Sequence, residues 1–249
     1  MAIHKGRILD ILPTEQARAS YQADIEHTLE GHLLTPGLIN AHTHAAMTLL
    51  RGLADDLPLH DWLNNHIWPA EGRWVNEEFV HDGTQLAIAE MLRSGTTCFN
   101  DMYFFPDVTA RTAAACGMRA CVGLILLDFP TVWAHEPDEY ISKGLAVHDQ
   151  YRSDPLITTL FAPHAPYTVS DAPLERVRVL ADELDIGIHM HVHETAEEVD
   201  SAHAQSGKRP LDRLQTLGLL SPAMLAVHMT QLTDDEVSLF AAGGGHVVH

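Results

Sequence analysis

Thr35–Gly52 reads TPGLINAHTHAAMTLLRG. Its apolar residues Leu38 and Ile39 lead directly into His42-Thr43-His44. Side chains on a strand alternate faces with a period of two, so both imidazoles leave the same side of the chain and meet one point. A single histidine at a strand end reads as an ordinary hydrogen-bonded polar residue. Two at this spacing read differently when His164, His191, His228 and His249 follow at the ends of later apolar segments. Together they predict one metal centre, assembled at one end of a barrel.

Outward from this stretch, strand-like and helix-like segments alternate. Residues 2–13 read as a short strand, a Lys5-Gly6 turn and a second strand. Residues 32–44 read as a buried strand interrupted by Pro36-Gly37. Further strands are predicted in 96–104, 118–128, 156–169, 187–194, 223–230 and 245–249. Apolar positions at helical spacing fall between them, in 75–95, 107–117, 137–152, 172–185, 195–207, 209–218 and 233–244. Ser170 or Asp171 is expected to cap the helix over 172–185.

Seven strands with helices between them imply a parallel sheet with right-handed crossovers. An eight-stranded barrel and an open doubly wound sheet both satisfy that pattern. No GxGxxG follows the first strand, which weakens the open dinucleotide-binding sheet. The histidines favour the barrel, because they sit at the C-terminal ends of several different strands. Gly243-Gly244-Gly245 lacks the Lys and Ser/Thr of a phosphate loop and reads as a turn.

Composition narrows the partners. A net charge of −19 argues against nucleic acid, which selects basic surfaces. The longest apolar stretch, near Cys121–Leu127, is too short to span a membrane, and MAIHKGRILD has no apolar leader. Cys98, Cys116 and Cys121 form neither a CxxC nor an even framework, so a disulfide scaffold and a thiolate zinc site are both disfavoured. A cytoplasmic location is expected by default.

Within residues 187–194 the sequence GIHMHVHE puts His189, His191 and His193 on one face by parity, and spacing does not choose among them as ligands. Glu194 is placed beside a metal ligand to move protons, or is simply a helix-start acid ahead of Thr195-Ala-Glu-Glu. His228, taken singly, reads as a core histidine; with the others it reads as a ligand. His164 is held by Pro163 and Pro166 and suits substrate polarisation better than ligation.

TPGLINAHTH, RGLADDLPLHDWLNNHIWPAE, SGTTCFNDMY, FAPHAPYTVS, HMHVHETAEE and LAVHMT together resemble the amidohydrolase superfamily. The branch they are most similar to is that of the 5′-methylthioadenosine/S-adenosylhomocysteine deaminases, beside the triazine chlorohydrolases. The resemblance implies a (β/α)8 barrel over residues 35–249 and part of a small β-sandwich in residues 1–34. It implies one divalent metal per subunit, usually Zn2+, although imidazole and carboxylate ligands also suit Fe2+ or Mn2+.

Carried onto this chain, the resemblance makes His42, His44, His191 and His228 the metal ligands. Glu194 becomes the proton shuttle and His164 a substrate contact. Glu71 binds the ribose hydroxyls and Trp62 walls the nucleoside pocket, while His249 adds a substrate contact. The implied substrate is a small adenine nucleoside. The reaction is hydrolytic deamination to the inosine analogue and ammonia, by attack of a water whose pKa the metal lowers to about 7. Other aminoheterocycle hydrolases, of triazine, guanine or cytosine type, and an inactive metal-binding module are the alternatives. A homo-oligomer is expected.

The pattern also needs an aspartate at the end of an eighth strand, beyond His249. Asp101 is the nearest internal substitute. The expectation is therefore an incomplete barrel, a fragment of a longer protein that binds metal weakly and turns over slowly or not at all.

Overall fold

The computed structural model describes residues 1–249. The chain divides into two units, Met1–Pro36 and Gly37–His249. In the first, β1 (Ala2–His4) and β2 (Arg7–Asp10) pair antiparallel. Lys5 and Gly6 both adopt positive φ between them, the geometry that a two-residue hairpin turn requires. Helix α1 (Thr14–Ser20) follows Pro13 and buries no residue. It was not anticipated, because its sequence carries no apolar stripe.

The second unit begins with β3 (Leu38–Thr43). A 3-10 turn over Ala45–Leu50, α2 (Leu59–Trp62), a wide turn over Leu63–Ile67 and α3 (Trp68–Trp74) complete the first crossover with α4 (Glu77–Arg93). Thereafter β4 (Thr96–Met102), α5 (Pro106–Ala115), β5 (Arg119–Leu126), α6 (Pro137–Tyr151) and β6 (Ile157–Pro163) alternate. They are followed by α7 (Asp171–Leu184), β7 (Ile188–Val192), α8 (Ala196–Ser206), α9 (Pro210–Thr216), β8 (Met224–His228), α10 (Asp234–Gly243) and β9 (His246–Val248).

The order of strands decides between the two candidate architectures. β3 to β9 lie side by side in chain order, all parallel, in one seven-stranded sheet. A doubly wound sheet reverses its order at a switch point; this one never does. The fold is an incomplete (β/α)8-type barrel with seven strands.

Central strands are buried along almost their whole length, as parallel strands covered by helices must be. Phe99, Phe161 and Met190 sit at the heart of that core. The expectation of a buried strand over 32–44 is corrected. Leu33, Leu34, Leu38 and Ile39 are all exposed, Ile39 by 71%. β3 pairs only with β4, so its first half lacks a second neighbour, and burial sets in only from Ala41.

Helix α4 shows how sequence positions the site. Asn76 caps it by accepting from the Phe79 amide, and Glu77 and Glu78 complement the dipole in its first turn. It buries Val80, Gly83, Thr84, Ala87, Ile88 and Met91 on one face. At Gly83 a Cβ would stand 2.4 Å from the Ala46 carbonyl oxygen. Only glycine lets this helix rest against the backbone just after His44. Ser170 does precede α7, but its side chain makes no capping bond.

Candidate metal centre

Two strand ends supply the centre. His42 lies on β3 and His44 immediately follows it; His191 lies on β7. One ring nitrogen or equivalent donor atom from each of His42, His44 and His191 falls within 4.8 Å of the others. The remaining nitrogens are held from behind. His44 Nδ1 donates to the Met102 carbonyl at 2.6 Å, and His191 Nδ1 donates to the His164 carbonyl at 2.8 Å. A carbonyl only accepts, so both rings carry their proton on Nδ1 and keep Nε2 bare. This donor set, three imidazoles of which two are oriented by outer hydrogen bonds to carbonyls, fits a divalent cation.

Burial keeps the cluster neutral. Desolvation, reinforced by the neighbouring histidines, pushes His42 down to about 2. Burial pushes His164 to about 3 and lowers His44 and His191 as well. Neutral imidazole is the ligand form.

The rest of the expected set is distributed around this core. His228 lies outside the three-histidine group, its ring stacked 5.4 Å from that of His191. Its Nε2 sits 3.3 Å from Glu194 Oε1. Glu194 is pushed up to about 7 by burial and by the neighbouring Glu198 carboxylate. His164 stands 4.9 Å, ring to ring, from His191. His249 is exposed; its Nδ1 bonds the His228 carbonyl at 3.0 Å, and it does not line the adjoining cavity.

The shared face expected of His189, His191 and His193 is corrected. β7 ends at Val192, and His193 turns out of the strand with φ +53°. Its Nδ1 donates to the Gln231 carbonyl and its Nε2 accepts from the Leu211 amide, which ties it to the following loops. Asp101 does not join the donor cluster either. Its buried carboxylate accepts from Thr43 Oγ1 at 2.8 Å and the Ala45 amide at 2.7 Å, bracketing His44. Burial holds it at about 6.

A cavity of about 350 Å³ adjoins the cluster, touching it through His44 and His164. Trp62, Trp68, Phe104 and Phe129 are among its walls, with Glu71, Tyr103 and Thr131 as its polar groups away from the histidines. Glu71 is buried and accepts from the Tyr103 hydroxyl at 2.7 Å. Burial lifts its carboxyl to about 7 against that hydrogen bond.

Sequence reasoning missed Tyr103, Thr168 and Glu198. Glu198 is buried and accepts from the His193 and Glu194 amides at 3.2 and 2.7 Å, pinning the turn that carries Glu194. A signal for it exists. Thr195-Ala-Glu-Glu198 has capping-box spacing, and Thr195 does cap α8 by accepting from the Glu198 amide.

Seven parallel strands in barrel order, with histidines converging at two strand ends, define a barrel protein with a candidate metal centre. The profile of the Amidohydrolase family matches residues 33–249, and the chain belongs to that family. It is 55% identical over 249 residues to the 5-methylthioadenosine/S-adenosylhomocysteine deaminase of Teredinibacter turnerae. It is 56% identical over 251 residues to the protein of the same name from Saccharophagus degradans. All of this chain is covered in both matches, but it spans only 56% of each relative. Among solved structures, an adenosine deaminase from Xanthomonas campestris with bound zinc superposes with a TM-score of 0.84 at 60% identity. That match covers 86% of this chain and 49% of the other.

Proposed function

We propose that this chain carries the metal centre and nucleoside pocket of a zinc-dependent deaminase. It converts 5′-methylthioadenosine or S-adenosylhomocysteine to the inosine analogue and ammonia. One observation carries the reading: the apolar, aromatic cavity meets the histidine cluster and also holds a single buried carboxylate, Glu71. Aromatic walls suit a purine and a thioether, and a buried carboxylate suits vicinal hydroxyls. The names of the relatives and the zinc in the Xanthomonas structure support it.

His42, His44, His191 and His228 hold the ion in this proposal. When bound, it supplies Lewis acidity and lowers the pKa of water to about 7. Glu194 moves a proton to the ring nitrogen beside the reacting carbon, then toward the leaving ammonia. A carboxyl near 7 both holds and releases a proton at neutral pH, as a general acid–base must. Thr168 Oγ1 donates to the Ala165 carbonyl, so His164 Nδ1 is the donor in its 3.0 Å contact with Thr168. His164 Nε2 is then a bare acceptor for the exocyclic amine. Glu71 accepts from the ribose hydroxyls, Trp62 closes the pocket wall, and His249 backs His228.

No helix is long and apolar enough to cross a membrane. Three free thiols, Cys116 among them exposed, support a reducing cytoplasmic setting.

The test is ammonia release from 5′-methylthioadenosine, S-adenosylhomocysteine, adenosine and free adenine by the zinc-loaded protein. Absence of both ammonia release and binding for every nucleoside sinks the reading. Glu71→Ala should raise KM for the nucleosides at least tenfold, one hydrogen bond to a charged group being worth about 1.5–3 kcal/mol, and leave KM for free adenine nearly unchanged.

A further inference from the structure

Glu71 is the one fully buried residue of α3, a seven-residue helix whose start carries no side-chain cap. Gly72, Arg73 and Trp74, which follow it, are all exposed. A helix this short is not fixed by its own propensity, so contacts with other elements must set where the carboxylate stands. The hydrogen bond that reaches it comes from Tyr103, whose hydroxyl donates to Oε1 at 2.7 Å. It is the one hydrogen bond that acts on this carboxyl, and it leaves Oε2 for a ligand hydroxyl.

Tyr103 is itself held by packing. It follows β4 directly, is 5% exposed and packs with Ala46, Val75, Val80 and Val108. Its ring lies 5.1 Å from that of Phe104. Burial, with Glu71 beside it, raises the phenol, which therefore keeps its proton and donates. The preceding residue makes the matching contact on the other side: the Met102 carbonyl holds His44 Nδ1 at 2.6 Å. Two consecutive residues at the end of β4 thus grip a histidine of the metal centre and the carboxylate of the cavity. The strand end links the two more directly than the short helices and turns between residues 44 and 71.

We propose that Tyr103 is a positioning residue for nucleoside selection: its hydroxyl fixes the Glu71 carboxylate relative to the metal centre, so that a ligand bearing ribose hydroxyls is favoured over one without them. Tyr103 touches no reacting atom in this assignment; it acts through Glu71. The inference rests on the ribose role given to Glu71 above.

The experiment uses the zinc-loaded full chain and ligands that carry no amine to lose: inosine, 2′,3′-dideoxyinosine and hypoxanthine, read by calorimetry. The parent chain should prefer inosine to the dideoxynucleoside. Tyr103→Phe should shrink that preference roughly three- to tenfold, the usual worth of one hydrogen bond. Its affinities for hypoxanthine and for zinc should not move, which separates positioning from a general structural role. In the Glu71→Ala background Tyr103→Phe should add nothing, because a residue that acts through another loses its effect when that partner is gone.

A full inosine preference in Tyr103→Phe, with the preference lost in Glu71→Ala, overturns this inference and leaves the ribose role of Glu71 standing. So do additive effects of the two substitutions, or a Tyr103→Phe chain that loses hypoxanthine and zinc along with inosine. A parent chain without the preference removes the role of Glu71 and this inference together. Should Tyr103→Phe fail to fold, NMR of tyrosine labelled at ring Cζ decides. The Tyr103 signal must shift in Glu71→Ala and again when inosine binds the parent; a signal indifferent to both overturns the inference.

Discussion

Burial raises the Glu71 carboxyl to about 7, against the hydrogen bond from Tyr103, well above the range of an exposed glutamate. Its titration has a stability consequence whose sign is definite. In the unfolded chain the group ionises near 4.5, and in the folded chain near 7. Between those values the folded state binds more protons, so this group's contribution to stability falls as pH rises through that window. The gap amounts to a loss on the order of 3 kcal/mol. Glu71→Gln removes the dependence. Denaturant unfolding at pH 4.5 and pH 8, both on the order of the window's limits, should therefore show the variant gaining on the parent as pH rises. Equal pH profiles would mean that Glu71 is better hydrated than its burial implies.

At the scale of the element, α4 and the turn after His44 act as one unit. The contact at Gly83 is with backbone, which yields less readily than the end of a side chain. Alanine at 83 gains about 1 kcal/mol in helix propensity but overpacks the interface, which costs about 1–3 kcal/mol. The net effect expected of Gly83→Ala is destabilisation in urea, together with weaker zinc binding as Ala45 and Ala46 move away from Asp101. Unchanged stability and metal affinity would show that the helix has room to slide. The elements were legible in the sequence where the pattern was regular. Residues 75–95 announce α4 through apolar spacing, and β7 is visible in GIHMHV. The end of β7 was not legible, because the left-handed turn at His193 is imposed by the Gln231 carbonyl and the Leu211 amide. Both partners lie on segments distant in sequence.

For the whole molecule, metal binding and folding are one equilibrium. The cluster joins β3, an outer strand, to β7 across the barrel end, so a cation ties together parts of the sheet that share no ladder. A ligand that binds only the folded state at 100 times its Kd adds about 2.7 kcal/mol. Zinc should raise the thermal midpoint, a chelator should reverse the rise, and His44→Ala should abolish it. A midpoint indifferent to zinc in the parent chain would dissolve the centre as described.

The sequence by itself determined the alternation that makes a parallel barrel, the convergence of His42 and His44, and the histidine-rich end of β7. These depend on periods of 2 and 3.6 residues, which are local properties of the chain. Spacing left His189, His191 and His193 open and only the resemblance singled out His191; tertiary structure placed His191 in the cluster and decided that Asp101 brackets His44 and that Glu71 meets Tyr103. It also decided that β3 is half exposed. Those outcomes turn on hydrogen-bond partners and burial contributed by residues far away in the chain, and no local pattern encodes them.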